Sequence, residues 1–170
     1  MIERDFDIME KRYINIEDFL SRQFNKKGFY RYDLMIRYLF IKRFYGSSQH
    51  DDFTNDLYSK FYKYRKIKER SRKFVKIIKS FEENGFVEDY KPFMVMNDDY
   101  KMCGGNHRTA CCLWFDIRKI PVYIPDDFYS ACKRKKRQWN KKWLISHGLS
   151  DYIPKLEKVR IKIFKKMRIL

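Results

Sequence analysis

The sequence predicts an α+β domain, a small mixed β-sheet with a βαβ crossover, wrapped by helices from both ends. Three observations carry that expectation. Apolar residues recur at helical spacing through the first 81 residues and again after Asp126. Between Pro92 and Ile124 the apolar runs shorten to strand length. A glycine pair, Gly104 and Gly105, stands between two of those short runs and delivers the chain into a helical pattern.

In chain order, Asn15 is the expected cap of a first helix with Glu17 and Asp18 in its first turn. Ile16, Phe19, Leu20 and Phe24 line one face, and the helix stops near Gly28. Asp33 is expected to cap a second helix, Leu34 to Tyr45, which is apolar nearly all round and therefore predicted to be buried, with Gly46 as its C-terminal turn. A third starts at Thr54 or Asn55 and carries Leu57, Phe61 and Tyr64. Ser71 caps a fourth, with Phe74, Ile77, Ile78 and Phe81 at i, i+3, i+4 and i+7, closed by Asn84 and Gly85.

Phe93 to Met96 and Tyr100 to Cys103 are two short strands joined by Asn97, Asp98 and Asp99, so they read as a hairpin. Asn106 is the expected cap of the next helix, and Ile120 to Ile124 is a further strand. Strand, helix and strand then form a crossover that pairs its strands in parallel. One long helix is expected from Asp126 or Asp127 through Phe128, Cys132, Trp139 and Trp143 to just before Gly148, and Pro154 opens the last one. No repeat or flexible linker interrupts the chain, so residues 1–170 read as a single domain: helices over 1–68, a core over 69–125 and basic helices over 126–170.

The composition excludes several classes. With 44% hydrophobic and 18% aromatic residues and only 6 Gly and 4 Pro, the chain is not intrinsically disordered. No run approaches the roughly 18 apolar residues of a membrane span, and Met1 to Asp7 lacks the apolar stretch of a secretion signal. A cytoplasmic protein is expected. The four cysteines form no C-x-x-C pair, so no zinc ribbon or disulfide framework is written here, and buried thiols are the simpler reading.

The 39 Lys+Arg against 22 Asp+Glu give a net charge of +17, of which +12 lies after Phe128. Lys133 to Arg137, followed by Trp139, Lys141, Lys142 and Trp143, suits an anionic partner, as does the stretch 155–170, where Lys and Arg interleave with Leu156, Val159, Ile163, Met167 and Leu170. That partner is a nucleic acid or the inner face of a membrane, to which the last helix would attach peripherally. A solvated helix face reads the same way.

Several chemically useful features converge on Gly104, Gly105, Asn106, His107, Arg108 and Thr109. Glycines let backbone N–H groups approach an anion, a helix start adds about half a positive charge, and Arg108 offers a fork matched to phosphate. Thr109 adds a hydroxyl. The spacing is neither a Walker A loop nor a Rossmann fingerprint, and on spacing alone a structural strand-to-helix turn fits equally.

Phe74 to Ile124 resembles the nucleotide-binding core shared by ParB-like partition proteins, sulfiredoxins and the ParB-like free serine kinases. The resemblance rests on Gly85, Pro92-Phe-Met-Val95, Gly105-Asn-His-Arg108 and Ile120-Pro-Val122, and covers roughly 30% of the chain. It implies that Gly104, Gly105, Asn106, His107, Arg108 and Thr109 hold nucleotide phosphates. Asn106 stands where sulfiredoxins carry their catalytic Cys, so their chemistry is not expected. Gly104 stands where the kinase-type box has an Asp. The resemblance thus implies a kinase, an ATP- or ADP-dependent phosphotransferase working with Mg²⁺ on a small-molecule or saccharide acceptor. Its catalytic candidates are His107, Arg108, Asp99 and Glu69, with Tyr30, Tyr32, Tyr38 and Tyr45 shaping an acceptor pocket. Asp98 and Asp99 read also as a polar turn, and Glu69 as a solvent-facing charge. The alternative is a ParB-like nucleic-acid-binding module or nuclease that uses the basic C-terminal third.

Overall fold

The structure is a computed structural model and describes residues 9–25, 32–46, 56–60, 67–87, 100, 102, 104–126 and 140–169. Within these residues the chain is α+β and mostly helical, with 7 helices and a two-stranded antiparallel sheet.

The chain enters through a strand that the sequence pattern does not announce. β1 (Met9–Asn15) pairs antiparallel with β2 (Lys119–Pro125), Met9 opposite Pro125 and Asn15 opposite Lys119. Glu10, Lys11, Arg12 and Tyr13 are all exposed, so β1 has none of the apolar and polar alternation that marks a half-buried strand. Among the described residues β1 is an edge of the sheet, and charged side chains suit an edge because they discourage further pairing. β2 was expected, and it buries Ile120, Pro121 and Val122. Among the described residues its ladder partner is β1, in antiparallel pairing. The hairpin strand Phe93 to Met96 lies outside the described residues, and so do Lys101 and Cys103 of the second hairpin strand.

β1 runs directly into α1 (Ile16–Asn25), where Ile16 N donates to Arg118 O at 2.8 Å and ties the helix start to the approach of β2. Glu17 and Asp18 sit in the favourable first turn, and Ile16, Phe19 and Leu20 are fully buried. The side chain of Phe24 lies outside the described residues.

α2 (Tyr32–Tyr45) is the central element. Every residue from Tyr32 to Leu39 is buried, as the all-round apolar pattern required. Asp33 is not a cap but a buried member of the first turn. A short helix, α3 (56–60), buries Leu57 and Tyr58. α4 (Ile67–Asn84) begins four residues before the expected Ser71 cap and buries Phe74, Ile78 and Phe81. It ends where Gly85, at φ 66°, donates its N–H to Phe81 O at 3.0 Å.

α5 (Asn106–Trp114) buries Thr109 to Leu113 and packs against α2 and α4. The long helix expected through Trp139 and Trp143 is broken. Residues 127–139 lie outside the described ones, but α6 (Lys141–Ser146) has its own cap in Asn140, which is extended and whose Oδ1 accepts from Trp143 N at 2.9 Å.

After a 3₁₀ turn at Ser150–Tyr152, α7 (Ile153–Lys166) begins with Pro154 in its first turn. Its apolar stripe, Leu156, Ile163 and Phe164, continued by Met167, is buried in the common core, and the helix packs against α2. The stripe expected to reach a membrane surface is therefore spent on packing. Lys166 ties α7 to α5: its Nζ donates to Leu113 O and Trp114 O at 3.1 and 3.0 Å, at the negative end of α5. One core thus joins residues from Ile16 to Met167. Among the described residues, no helix is long and apolar enough to cross a membrane.

Candidate functional site

The glycine turn stands where the sequence put it, with one change of role. Gly105, at φ 82°, is the residue before the helix in left-handed conformation, and Asn106, the expected cap, is the first helical residue. No side-chain bond caps α5. The first helical bond runs from Thr109 N to Gly105 O at 2.9 Å, so the positive end of the helix dipole falls at Asn106, His107 and Arg108. Thr109 is fully buried, and its hydroxyl donates to Gly105 O at 3.1 Å, with Met102 Sδ 3.7 Å away. That hydroxyl, expected at a ligand, holds the turn against its own helix.

His107 is half-buried, its ring packed on Phe74 with centroids 4.4 Å apart. Burial first, then the positive charges of Arg37 and Arg70, push its pKa down to about 3; Asp33 opposes the shift and Arg108 adds to it. His107 is therefore a neutral imidazole near pH 7, able to donate from one nitrogen and accept at the other, and too weakly basic for a general base.

Three arginines from three helices thus act on one point. Arg108 comes from α5 itself. Arg37, from the buried face of α2, donates through Nη1 to Asp33 O at 2.7 Å and to Asp33 Oδ2 at 3.1 Å, which balances a charge that burial would otherwise make costly. Arg70 comes from the exposed start of α4. The sequence reading missed Arg37 and Arg70, because neither is near Arg108 in the chain. A signal for Arg37 was present: Asp33 and Arg37 form an i,i+4 acid and base pair inside an otherwise apolar stretch.

The proposed acids are not gathered here in the same way. Glu69 is exposed and accepts from Lys73 Nζ at 2.6 Å along α4. Asp99 and Asp98 lie outside the described residues. Among the described residues no group of three or more His, Cys, Asp or Glu is placed to hold a metal ion. The tyrosines expected to line an acceptor pocket divide. Tyr32 and Tyr38 are core residues, Tyr45 is 38% exposed and stacks on Trp114 at 5.7 Å, and Tyr30 lies outside the described residues. Cys111 and Cys112 are buried free thiols; burial pushes Cys111 up to about 12 and Cys112 well above its ordinary value, so both are poor nucleophiles.

Comparison with protein-family models, with curated proteins and with solved structures finds no match to this chain.

Proposed function

We propose that the turn from Gly104 to Arg108 binds the phosphates of a nucleoside di- or triphosphate, in a phosphotransferase that uses ATP or ADP. The observation that carries this reading is the turn itself: Gly105 at φ 82° opens α5, Arg108 lies in the first turn at the positive end of the dipole, and Arg37 and Arg70 act with it on His107 against Asp33. A helix start that carries an arginine is a suitable seat for an anion.

In this reading Arg108 supplies the bidentate contact, the backbone of Gly104 and Gly105 allows close approach, and neutral His107 donates one hydrogen bond to a phosphate oxygen without adding charge. Mg²⁺ would arrive on the nucleotide phosphates. Asp99, five residues before the loop, is the acid assigned to the acceptor hydroxyl's proton as the terminal phosphoryl group moves.

The test is thermal unfolding with ATP, ADP and CTP, each with Mg²⁺. At a hundredfold excess over Kd a bound ligand stabilises by about 2.7 kcal/mol, or roughly 5–10 °C in a chain of this size. Arg108→Ala should abolish the shift. Equal shifts in wild type and variant, or none with any nucleotide, would overturn the reading.

A further inference from the structure

The basic C-terminal helix carries a second inference, independent of the phosphate turn. Lys155, Lys158, Lys162 and Lys165 follow one another at spacings of three, four and three residues along α7. That spacing places all four on one face, with Leu156, Ile163 and Phe164 on the opposite, buried side.

Lys158, Lys162 and Lys165 are exposed, and among the described residues none of them has a carboxylate within ion-pair distance. The one acid of α7, Glu157, is turned elsewhere. It accepts from Arg160 Nε at 2.8 Å and is hydrogen-bonded to the hydroxyl of Tyr32. Lys158, Lys162 and Lys165 therefore present a cationic run on a helix whose position is set by its buried side.

We infer that this lysine row docks on the phosphate backbone of a nucleic-acid duplex. Lys155 to Lys165 spans ten residues, about 15 Å at 1.5 Å per residue, with a charge roughly every 5 Å. One strand of a duplex presents a phosphate every 3.4 Å of axis, so about four phosphates lie along the same length. A membrane surface fits less well, because peripheral helices insert an apolar face beside their cations and here Leu156, Ile163 and Phe164 are inside the protein, leaving Ile161 as the large apolar residue of α7 that is exposed. The row makes no base-edge contact of its own, so the binding is independent of sequence.

The experiment is fluorescence anisotropy of the full chain with a labelled 20-base-pair duplex, titrated with salt. With Lys158, Lys162 and Lys165 engaged, log Kobs should fall against log salt with a slope of about −2.7 or steeper. The triple variant Lys158→Gln, Lys162→Gln, Lys165→Gln should flatten that slope by about 2.7. A control removes equal charge from α4 through Arg72→Gln, Lys76→Gln and Lys79→Gln and should leave the slope within about 0.5 of wild type. Both variants alter exposed residues, and matching far-UV spectra and melting curves would show that both fold. The inference is overturned if the duplex is not retained at 50 mM salt, or if the α7 variant flattens the slope no more than the α4 control. It is also overturned if vesicles rich in anionic lipid lose binding in the α7 variant while the duplex does not.

Discussion

Folding pulls the His107 pKa from its ordinary 6.5 to about 3, and that displacement makes stability depend on pH in a way one substitution can isolate. Between those two values the unfolded chain holds a proton on His107 that the folded chain does not. Stability therefore rises with pH through the window and is lost on acidification. From pH 7 to pH 5 the contribution is about 2 kcal/mol, since each unit below 6.5 adds up to about 1.4 kcal/mol. Burial is the largest cause; Arg37 from α2, Arg70 from α4 and Arg108 on α5 add to it, and Asp33 from α2 opposes it. His107→Gln removes the titration. It also removes the ring contact with Phe74, but that loss is the same at both pH values and cancels from the comparison. Urea unfolding of both proteins at pH 7 and pH 5 gives the answer. The wild type should lose about 2 kcal/mol more than the variant, a displacement near 1 M in midpoint for a slope of about 2 kcal/mol/M. Equal losses to within about 0.5 kcal/mol would refute both the burial and the cationic setting of His107. Saturating ADP should narrow the difference, because an anion among the arginines raises the pKa they depress.

Two further predictions concern the ends of α5. Gly105→Ala forces a side chain into the left-handed region and should cost about 1–2 kcal/mol, whereas Gly104→Ala, where an added carbon meets nothing within 4 Å, should leave the melting temperature unchanged. Equal losses for the pair would contradict the geometry of the turn. At the other end, Lys166→Met deletes the donor to Leu113 O and Trp114 O and should destabilise by about 1 kcal/mol in urea, while Lys165→Met, an equally exposed neighbour, should stay within about 0.5 kcal/mol.

Local signals made α1, α2, α4, α5, β2 and the start of α7 legible, since each carries either a periodic apolar face or a breaker at its end. β1 was invisible for the opposite reason. Glu10 to Tyr13 are exposed, so its place is fixed by backbone pairing with β2 and not by any pattern of its own. The early start of α4 reflects a stretch, Ile67 to Arg70, without a residue that stops a helix, so Ser71 is simply enclosed. The last helix shows a limit of another kind. An amphipathic stripe flanked by lysines reads alike whether the apolar side meets lipid or a protein core, and only the presence of α2 and α5 decides between them. At the site, the glycine turn and Arg108 were legible because they are contiguous. Arg37 and Arg70 were not, because tertiary packing alone brings them to His107.

The charge at the start of α5 runs against the preference that α1, α2 and α4 follow. α1, α2 and α4 each place an acid in the first turn, where it complements the dipole. α5 places His107 and Arg108 there and no acid. α6 and α7 also begin without an acid, so that absence alone decides nothing. What separates α5 is the addition of charge from a distance. Arg37 is carried into the core on α2, held by Asp33, and still acts on His107 with the sign of the dipole; Arg70 does the same from α4. The depressed His107 pKa registers burial first and these charges after it, with Asp33 opposing them. The nucleotide phosphates proposed for this turn would act on that setting from outside the chain, and the His107 titration is where their effect would be read.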